Sequence, residues 1–170
     1  MKRIIIIAAL LCVCVLVNPI TTRAEAKKDT WICAEYQVYI QEISAEYGIC
    51  PELIMAIIEK ESSGQADATN GSCIGLMQVS ERWHKDRMER LGVTDLYDPY
   101  SNILVGTDYL VELFEKYEDL PMVLMTYNGS SDARCRYESG NYTSYAIAIM
   151  ERSAELERLH EIAKNRRKTI

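Results

Sequence analysis

The sequence predicts an all-α fold, or α+β at most: a compact single domain with at most a small hairpin. Apolar residues recur at helical spacing along most of the chain that follows residue 30. Short turns marked by glycine or proline separate these segments, and strand signals are scarce. With 170 residues, the chain is long enough for one domain with a genuine core.

Glycine and proline mark the limits of the first two predicted helices. Apolar residues recur at helical spacing from Ile32 to Tyr47. They predict a first helix, which ends at Gly48. Pro51 suits the first turn of a second helix, which is expected to run to about Ser62. Residues 63–73 are expected to form a polar loop, and any strand pairing is expected within 64–79.

The second half of the chain is also predicted to be helical. Ser80 is expected to cap a helix that Gly92 closes. A longer helix follows "YDPYSN" (97–102), and Pro121 opens a short apolar segment. A second polar loop is expected over 128–141 and is predicted to border one cleft together with the loop at 63–73. A last helix carries on one face Tyr145, Ile149, Leu156 and Leu159.

Residues 1–26 have the pattern of a secretory signal peptide. A basic pair precedes an unbroken apolar run over 4–17, and an A-x-A cleavage pattern ends at Ala26. Cleavage is expected there, which predicts a secreted or cell-envelope protein. The alternative is an uncleaved N-terminal anchor, although the run is shorter than the about 20 residues of a spanning helix. The domain is expected over 27–170, with 160–170 as a basic C-terminal tail.

The charge balance excludes one class of partner. The chain has a net charge of −6, and removal of residues 1–26, which carry +2, leaves −8. An acidic exported domain is a poor candidate for nucleic-acid binding. No nucleic-acid partner is expected, and the protein is expected to be a monomer.

Four cysteines follow the expected cleavage point, namely Cys33, Cys50, Cys73 and Cys135. An even number in an exported chain suggests two disulfides. Cys33 and Cys50 flank a predicted helix and are too far apart to bridge, so each is expected to pair with Cys73 or Cys135. Zinc is a weaker alternative, since the chain has two histidines and no C-x-x-C. The third alternative for these cysteines is that all four remain free thiols. No metal or cofactor is expected.

Two carboxylates end the second predicted helix in different environments. On a helical wheel of about 100° per residue, Glu61 falls within the stripe formed by Ile54, Ile57 and Ile58. Glu59 points away from that stripe. Partial desolvation is therefore expected to raise the pKa of Glu61 alone, which makes this residue the candidate for proton chemistry.

A series of sequence blocks occurs in the order and near the spacing of a known family. These blocks are "KESS" (60–63), "GLMQV" (75–79), "DPYSNILVGTDYL" (98–110), "MTYNGS" (125–130) and "NYTSYAIAIM" (141–150). Together they resemble the catalytic domain of lytic transglycosylases over roughly residues 34–155. This lysozyme-like family includes goose-type lysozyme relatives and the wall-opening subunits of secretion and conjugation systems, so such a machine is a candidate partner.

The resemblance implies a lysozyme-like fold, peptidoglycan glycan strands as substrate, and Glu61 as the sole catalytic acid/base. It implies that the hydroxyl of Tyr127 helps to hold the catalytic carboxyl, and that Tyr145 lies at the site, with Tyr142 as the competing register. Structural roles remain open for Met77 and Gln78. The residues assigned to substrate binding are Ser62, Gly75, Leu76, Met77, Gln78, Tyr127, Asn128 and Tyr145.

The resemblance also implies a reaction without water. Glu61 would protonate the glycosidic oxygen between N-acetylmuramic acid and N-acetylglucosamine, then remove the proton of the sugar's C6 hydroxyl, which closes a 1,6-anhydro ring. A hydrolysing muramidase of goose type, with Asp67 or another acid placing water, is one alternative. A non-catalytic wall-binding module is another. The family often continues Glu-Ser with an aromatic residue, Asn and Pro, whereas "SGQAD" (63–67) stands here.

Overall fold

The computed structural model describes residues 30–168, and side chains are described to residue 165. The expected signal peptide or anchor over 1–26 lies outside this range. Within the range, the chain forms seven helices and one small sheet. The helices are α1 (Ala34–Tyr47), α2 (Pro51–Ser62), α3 (Glu81–Leu91), α4 (Pro99–Tyr117), α5 (Leu120–Tyr127), α6 (Ala133–Ser139) and α7 (Ser144–Lys168). The predicted helical fold class is confirmed.

Helix α2 is the central helix of the domain. Six consecutive residues, from Leu53 to Ile58, are buried. A helix that is apolar on all sides must be surrounded by other elements, and α2 packs against α1 and most extensively against α7. The predicted boundaries hold as well: Pro51 occupies the first turn, and Gly48 ends α1 with a φ of 69°.

Three two-residue strands follow α2: β1 (Thr69–Asn70), β2 (Cys73–Ile74) and β3 (Val79–Ser80). They pair antiparallel in the order β1-β2-β3, with Asn70 opposite Cys73 and Ile74 opposite Val79. The strand pairing therefore lies in the region where a small hairpin was predicted. The sheet has one strand more than a hairpin. Ser80 occupies the N-cap position of α3, but its side chain makes no capping bond.

The predicted loop over 128–141 differs from its expected form, and the basic tail is helical. The expected loop over 128–141 contains α6, a short helix ended by Gly140 and supported by an exposed ion pair between Arg136 and Asp132. Helix α7 continues to Lys168, so the basic segment that begins at residue 160 extends the last helix. His160 within it pairs with Glu52 of α2 at 2.7 Å.

The expected disulfides are not present among the described residues, where all four cysteines are free thiols. Cys33 and Cys135 are exposed. The thiol of Cys50 instead lies 3.1 Å from a carboxylate oxygen of Glu52. Burial, reinforced by this hydrogen bond, raises the pKa of Cys50 to about 11, so the thiol stays protonated at neutral pH.

The described part of the chain contains no membrane-spanning candidate. Between residues 30 and 168, no helix combines the length and the hydropathy needed to cross a bilayer.

Candidate active site

Glu61 lies in the last turn of α2, where its carboxyl is half-buried. The hydroxyl of Tyr145, near the start of α7, donates a hydrogen bond to its Oε1. Burial raises the pKa of the Glu61 carboxyl above its ordinary value, although the bond from Tyr145 and the charge of Lys60 both act to lower it. A carboxyl in this state is suited to hold a proton at a higher pH than an exposed glutamate.

Tyr145 is itself buried, with 8% of its surface exposed. Burial is the largest of the effects that raise the pKa of its phenol, followed by the nearby charge of Glu61. The phenol is therefore a fixed donor, because it keeps its proton while the carboxyl titrates. Of the two registers considered for this tyrosine, the structure places Tyr145 on the carboxyl.

Tyr127 does not hold the carboxyl, which corrects the expectation from the resemblance. Its hydroxyl donates to the backbone carbonyl oxygen of Met77 at 2.9 Å. Its phenol nevertheless lies close enough to Glu61 for the carboxylate charge to add to burial in raising its pKa. The ring of Tyr127 lies 5.4 Å from that of Tyr109, centroid to centroid. Tyr127 thus joins α5 to the segment 75–78.

The segment 75–78 is fixed against the end of α2 by Ser62. The Ser62 hydroxyl lies 2.8 Å from the carbonyl oxygen of Leu76 and 3.0 Å from that of Ile58. A hydroxyl has one hydrogen, so it donates to one of these oxygens at a time. Ser62 is buried. Its side chain is therefore committed to the backbone, and its predicted contact with substrate has no support in this geometry.

Asn102 of α4 holds the same segment from the other side. Its Nδ2 donates to the carbonyl oxygens of Ile74 at 2.8 Å and Leu96 at 3.0 Å, and its Oδ1 accepts the N–H of Met77 at 2.8 Å. The side chain is fully buried, and each of its polar atoms is satisfied. Asn102 was not among the residues predicted to form the site.

Glycine is required at two points beside this amide. Gly75 has a φ of 76°, and a Cβ there would lie 2.3 Å from Nδ2 of Asn102. In α4, a Cβ on Gly106 would lie 2.6 Å from Sδ of Met77. Both glycines therefore allow the segment to approach α4 more closely than any side chain would permit.

The segment 75–78 has two side chains in the core, while that of Gln78 is partly exposed. Leu76 and Met77 are fully buried, so they form part of the core beneath the site. Gln78 has a φ of 49°, and its amide nitrogen donates to the carbonyl oxygens of Ala68 and Gly75 at 3.1 and 3.0 Å. A structural role therefore fits the buried side chain of Met77, and the amide nitrogen of Gln78 is likewise committed to backbone carbonyl oxygens. Oε1 is the atom of Gln78 that these bonds leave uncommitted.

Two further polar residues predicted near the site are exposed. Asn128, at the end of α5, is exposed and accessible to a ligand. Asp67, the acid considered as a second carboxylate, lies exposed in the turn after α2. Among residues 30–168, no group of three or more His, Cys, Asp or Glu side chains is arranged to bind a metal.

Glu59, which the wheel directs away from the apolar stripe, is not solvated. Its carboxylate is paired with Arg152 of α7 at 2.6 Å, and its side chain is only 8% exposed. Thr30 and the N–H of Trp31 donate to the same carboxylate at 2.5 and 3.1 Å. Burial on its own would raise the pKa of Glu59, but these hydrogen bonds outweigh it and lower the pKa. No local sequence pattern marked Arg152 as the partner of Glu59, because the two residues are 93 apart along the chain.

Cavity size does not identify the site. A cavity of about 850 Å³ lies between α1, the start of α2 and α7, and its lining includes Gln37, Glu52 and His160. A second, of about 440 Å³, is lined in part by Tyr47 and Phe114. Both lie at the opposite end of α2 from Glu61. The Glu61 carboxyl and its hydrogen-bond partner Tyr145 therefore mark the candidate site.

A small helical domain with a half-buried glutamic acid at the end of its central helix, held by a tyrosine from the last helix, has the form of a lysozyme-like enzyme domain. Residues 38–150 match the family of the transglycosylase SLT domain. The chain belongs to this family.

Two curated relatives illustrate the similarity. A transglycosylase of Enterobacteria phage PRD1 is 37% identical over 90 residues, which cover 52% of this chain and 32% of the phage protein. Membrane-bound lytic murein transglycosylase C of Serratia proteamaculans is 32% identical over 132 residues, covering 68% of this chain and 37% of that protein. The chain thus spans about a third of the length of these relatives.

A solved structure shares the fold. The X-ray structure of an inactive mutant of lytic transglycosylase Slt from Pseudomonas aeruginosa has a TM-score of 0.59 and 17% sequence identity. The match covers 76% of this chain and 24% of that one. At this level of identity the likeness establishes the fold alone.

Proposed function

We propose that this domain cleaves peptidoglycan at the β-1,4 bond between N-acetylmuramic acid and N-acetylglucosamine, with Glu61 as its single acid/base. The observation that carries the proposal is the half-buried Glu61 carboxyl, whose pKa is raised by burial and whose Oε1 accepts the Tyr145 hydroxyl. Membership of the transglycosylase SLT family supports the substrate class.

The proposed reaction has two proton transfers and no water. Protonated Glu61 donates its proton to the glycosidic oxygen, the bond from that oxygen to C1 of N-acetylmuramic acid breaks, and positive charge develops at C1. The Glu61 carboxylate then removes the proton of the C6 hydroxyl of the same sugar. The C6 oxygen bonds to C1, which gives a 1,6-anhydro end and restores protonated Glu61. One carboxyl thus serves as acid and as base.

Tyr145 and the segment 75–78 have supporting roles in this proposal. The Tyr145 phenol keeps Oε1 of Glu61 in place and opposes the rise in its pKa. Ser62, Asn102 and Tyr127 hold the segment 75–78 through backbone atoms, so their roles are to position it. Oε1 of Gln78 and the exposed amide of Asn128 are the groups proposed to contact the glycan.

We also propose that the protein acts outside the cytoplasm, on the cell wall, as a monomer or as part of a secretion or conjugation machine. The signal-peptide pattern over residues 1–26 supports export. The substrate itself lies outside the cytoplasmic membrane, which agrees with this location.

Product analysis in isotope-labelled water tests the proposed reaction. Purified peptidoglycan is digested with the protein in heavy-oxygen water, and the soluble fragments are identified by mass spectrometry. The proposal predicts unlabelled fragments with 1,6-anhydro ends. Fragments with labelled reducing ends would show that water attacks C1, which would assign the domain to the goose-type muramidases instead. A lack of any soluble fragments would favour the wall-binding module.

A further inference from the structure

A second carboxylate links the end of α2 to α7, next to the proposed acid. Nε of Arg152 donates to Oε2 of Glu59 at 2.6 Å, and Nη2 donates to Oε1 at 3.2 Å. This bidentate geometry fixes both the distance between the two charged groups and their relative orientation. Glu59 is 8% exposed and Arg152 25%. A pair this sheltered is screened less by solvent than a surface pair.

The surroundings of the pair restrict it further. Thr30 and the backbone N–H of Trp31 bring the start of the described chain onto the Glu59 carboxylate. Nη1 of Arg152 donates to the more exposed Glu155 at 2.7 Å. Both partners are thus held from more than one side, so a shift of either helix end would break several bonds together.

The links between α2 and α7 follow one another in antiparallel order. Glu52 meets His160, Glu59 meets Arg152, and Glu61 meets Tyr145. Tyr145 and Arg152 are seven residues apart, so they share one face of α7 and are separated by about 10 Å along its axis. The Glu59–Arg152 pair is therefore the link adjacent to the Tyr145–Glu61 bond.

We propose that Glu59 and Arg152 are positioning residues for the acid: their ion pair sets the placement of the last turn of α2 against α7, and through it the Tyr145–Glu61 hydrogen bond. This inference rests on the proposed function of Glu61. It predicts that loss of the pair weakens the bond from Tyr145 although the Glu61 residue is still present.

The direction of the effect follows from the groups that interact with Glu61. These are Lys60 on α2, Tyr127 on α5 and Tyr145 on α7. The bond from Tyr145 lowers the pKa of Glu61. A weaker bond therefore raises that pKa, and the alkaline limb of the kcat profile moves to higher pH, because the reaction starts from protonated Glu61.

Three variants of the full protein provide the first test. Arg152→Met removes the charge and the fork of donors, and Glu59→Gln keeps the size of the acid side chain but removes its charge. Arg158→Met is the matched control, since Arg158 is an exposed arginine on the same helix. We expect both pair variants to lose about tenfold in kcat with KM within about twofold, and the control to match wild type.

A double-mutant cycle with Tyr145→Phe distinguishes positioning from general destabilisation. If Arg152 acts through the Tyr145–Glu61 bond, Arg152→Met costs about twofold or less in the Tyr145→Phe background. The same loss in both backgrounds would overturn the proposal. A lower melting temperature of Arg152→Met, together with an unchanged alkaline limb of its kcat–pH profile, would also overturn it. If Arg152→Met and Glu59→Gln both fail to fold, the pair serves folding rather than positioning, and the proposal is also overturned.

The pKa of Glu61 is measured separately from activity. Proteins labelled with 13C at the glutamate carboxyl are titrated by NMR, and Glu61→Gln assigns the signal. The proposal predicts a higher pKa of Glu61 in Arg152→Met than in wild type or Arg158→Met. An unchanged pKa would overturn it. If Glu61→Gln keeps wild-type activity, the proposed function fails, whereas this titration still reports on the geometry.

Discussion

Tyr145 donates its hydroxyl hydrogen to Oε1 of Glu61, and this bond joins the last helix to the end of the central one. It opposes the effect of burial on the pKa of the carboxyl. Tyr145→Phe removes the donor without changing the ring. We expect kcat to fall by about tenfold or more and the alkaline limb of the kcat–pH profile to move to higher pH. An alkaline limb that moves to lower pH would contradict this account of the bond.

Tyr127→Phe is the matched comparison for Tyr145→Phe. The substitution removes the hydroxyl that donates a hydrogen bond to the carbonyl oxygen of Met77 at 2.9 Å. We expect a loss of about 1–2 kcal/mol in the free energy of unfolding, measured by denaturant titration, because a carbonyl within the fold loses its partner. The alkaline limb should move less than in Tyr145→Phe. A larger shift than that of Tyr145→Phe would restore Tyr127 as the direct partner of the carboxyl.

The close packing of Gly75 against Asn102 gives a stability prediction with an internal control. Gly75 and Gly71 have similar positive φ angles, 76° and 63°, so an alanine at either position is strained. A Cβ at Gly71 meets nothing within 4 Å, whereas one at Gly75 meets Asn102 at 2.3 Å and the Leu96 carbonyl oxygen at 2.9 Å.

Gly71→Ala should therefore lower the free energy of unfolding by about 1 kcal/mol, and Gly75→Ala by about 3 kcal/mol or more. The difference between the two variants isolates the clash with Asn102 and the Leu96 carbonyl oxygen, since both share the cost of the backbone conformation. Equal losses in urea unfolding would mean that the segment 75–78 is not fixed by this contact.

Removing the proposed acid should stabilise the protein in a pH-dependent way. The pKa of Glu61 in the folded protein is raised above 4.5. Its contribution to stability is therefore fully present below about pH 4.5 and is lost as the pH rises through the folded-state value. Gln in its place does not titrate. The melting temperature of Glu61→Gln minus that of wild type should grow as the pH rises from about 4 to about 8. Parallel melting curves across this range would contradict a raised pKa.

Local patterns were sufficient to predict the helical fold and the environment of Glu61. Each signal for the start of the domain spans only a few residues of sequence. These signals are the apolar run of α2, Pro51 in its first turn and Gly48 at the end of α1. The half-buried state of Glu61 follows from its position among the buried residues Ile54, Ile57 and Ile58. Helix α6 was missed because it buries little, with Ala133 as its buried residue, so an apolar stripe did not mark it within a polar stretch.

The polar contacts of the site were harder to predict because their partners are distant in sequence. Glu59 and Arg152 are 93 residues apart, and Tyr127 and Met77 are 50 apart. Sequence spacing does not specify which hydroxyl reaches which oxygen across such separations. For the same reason, the contact of Tyr145 with the carboxyl, the contact of Tyr127 with Met77 and the buried amide of Asn102 emerged only from the three-dimensional packing of the helices.

The most direct measurement of the central claim is the rate at which Glu61→Gln solubilises purified peptidoglycan, compared with wild type and with Asp67→Asn. Asp67 is the exposed carboxylate nearest in sequence after Glu61, so its variant is the matched control for loss of an acid. We predict that Glu61→Gln retains its fold but loses about 1,000-fold or more in rate, while Asp67→Asn keeps the wild-type rate. A folded Glu61→Gln protein that retains a tenth or more of the wild-type rate would contradict the assignment of Glu61 as the proton donor.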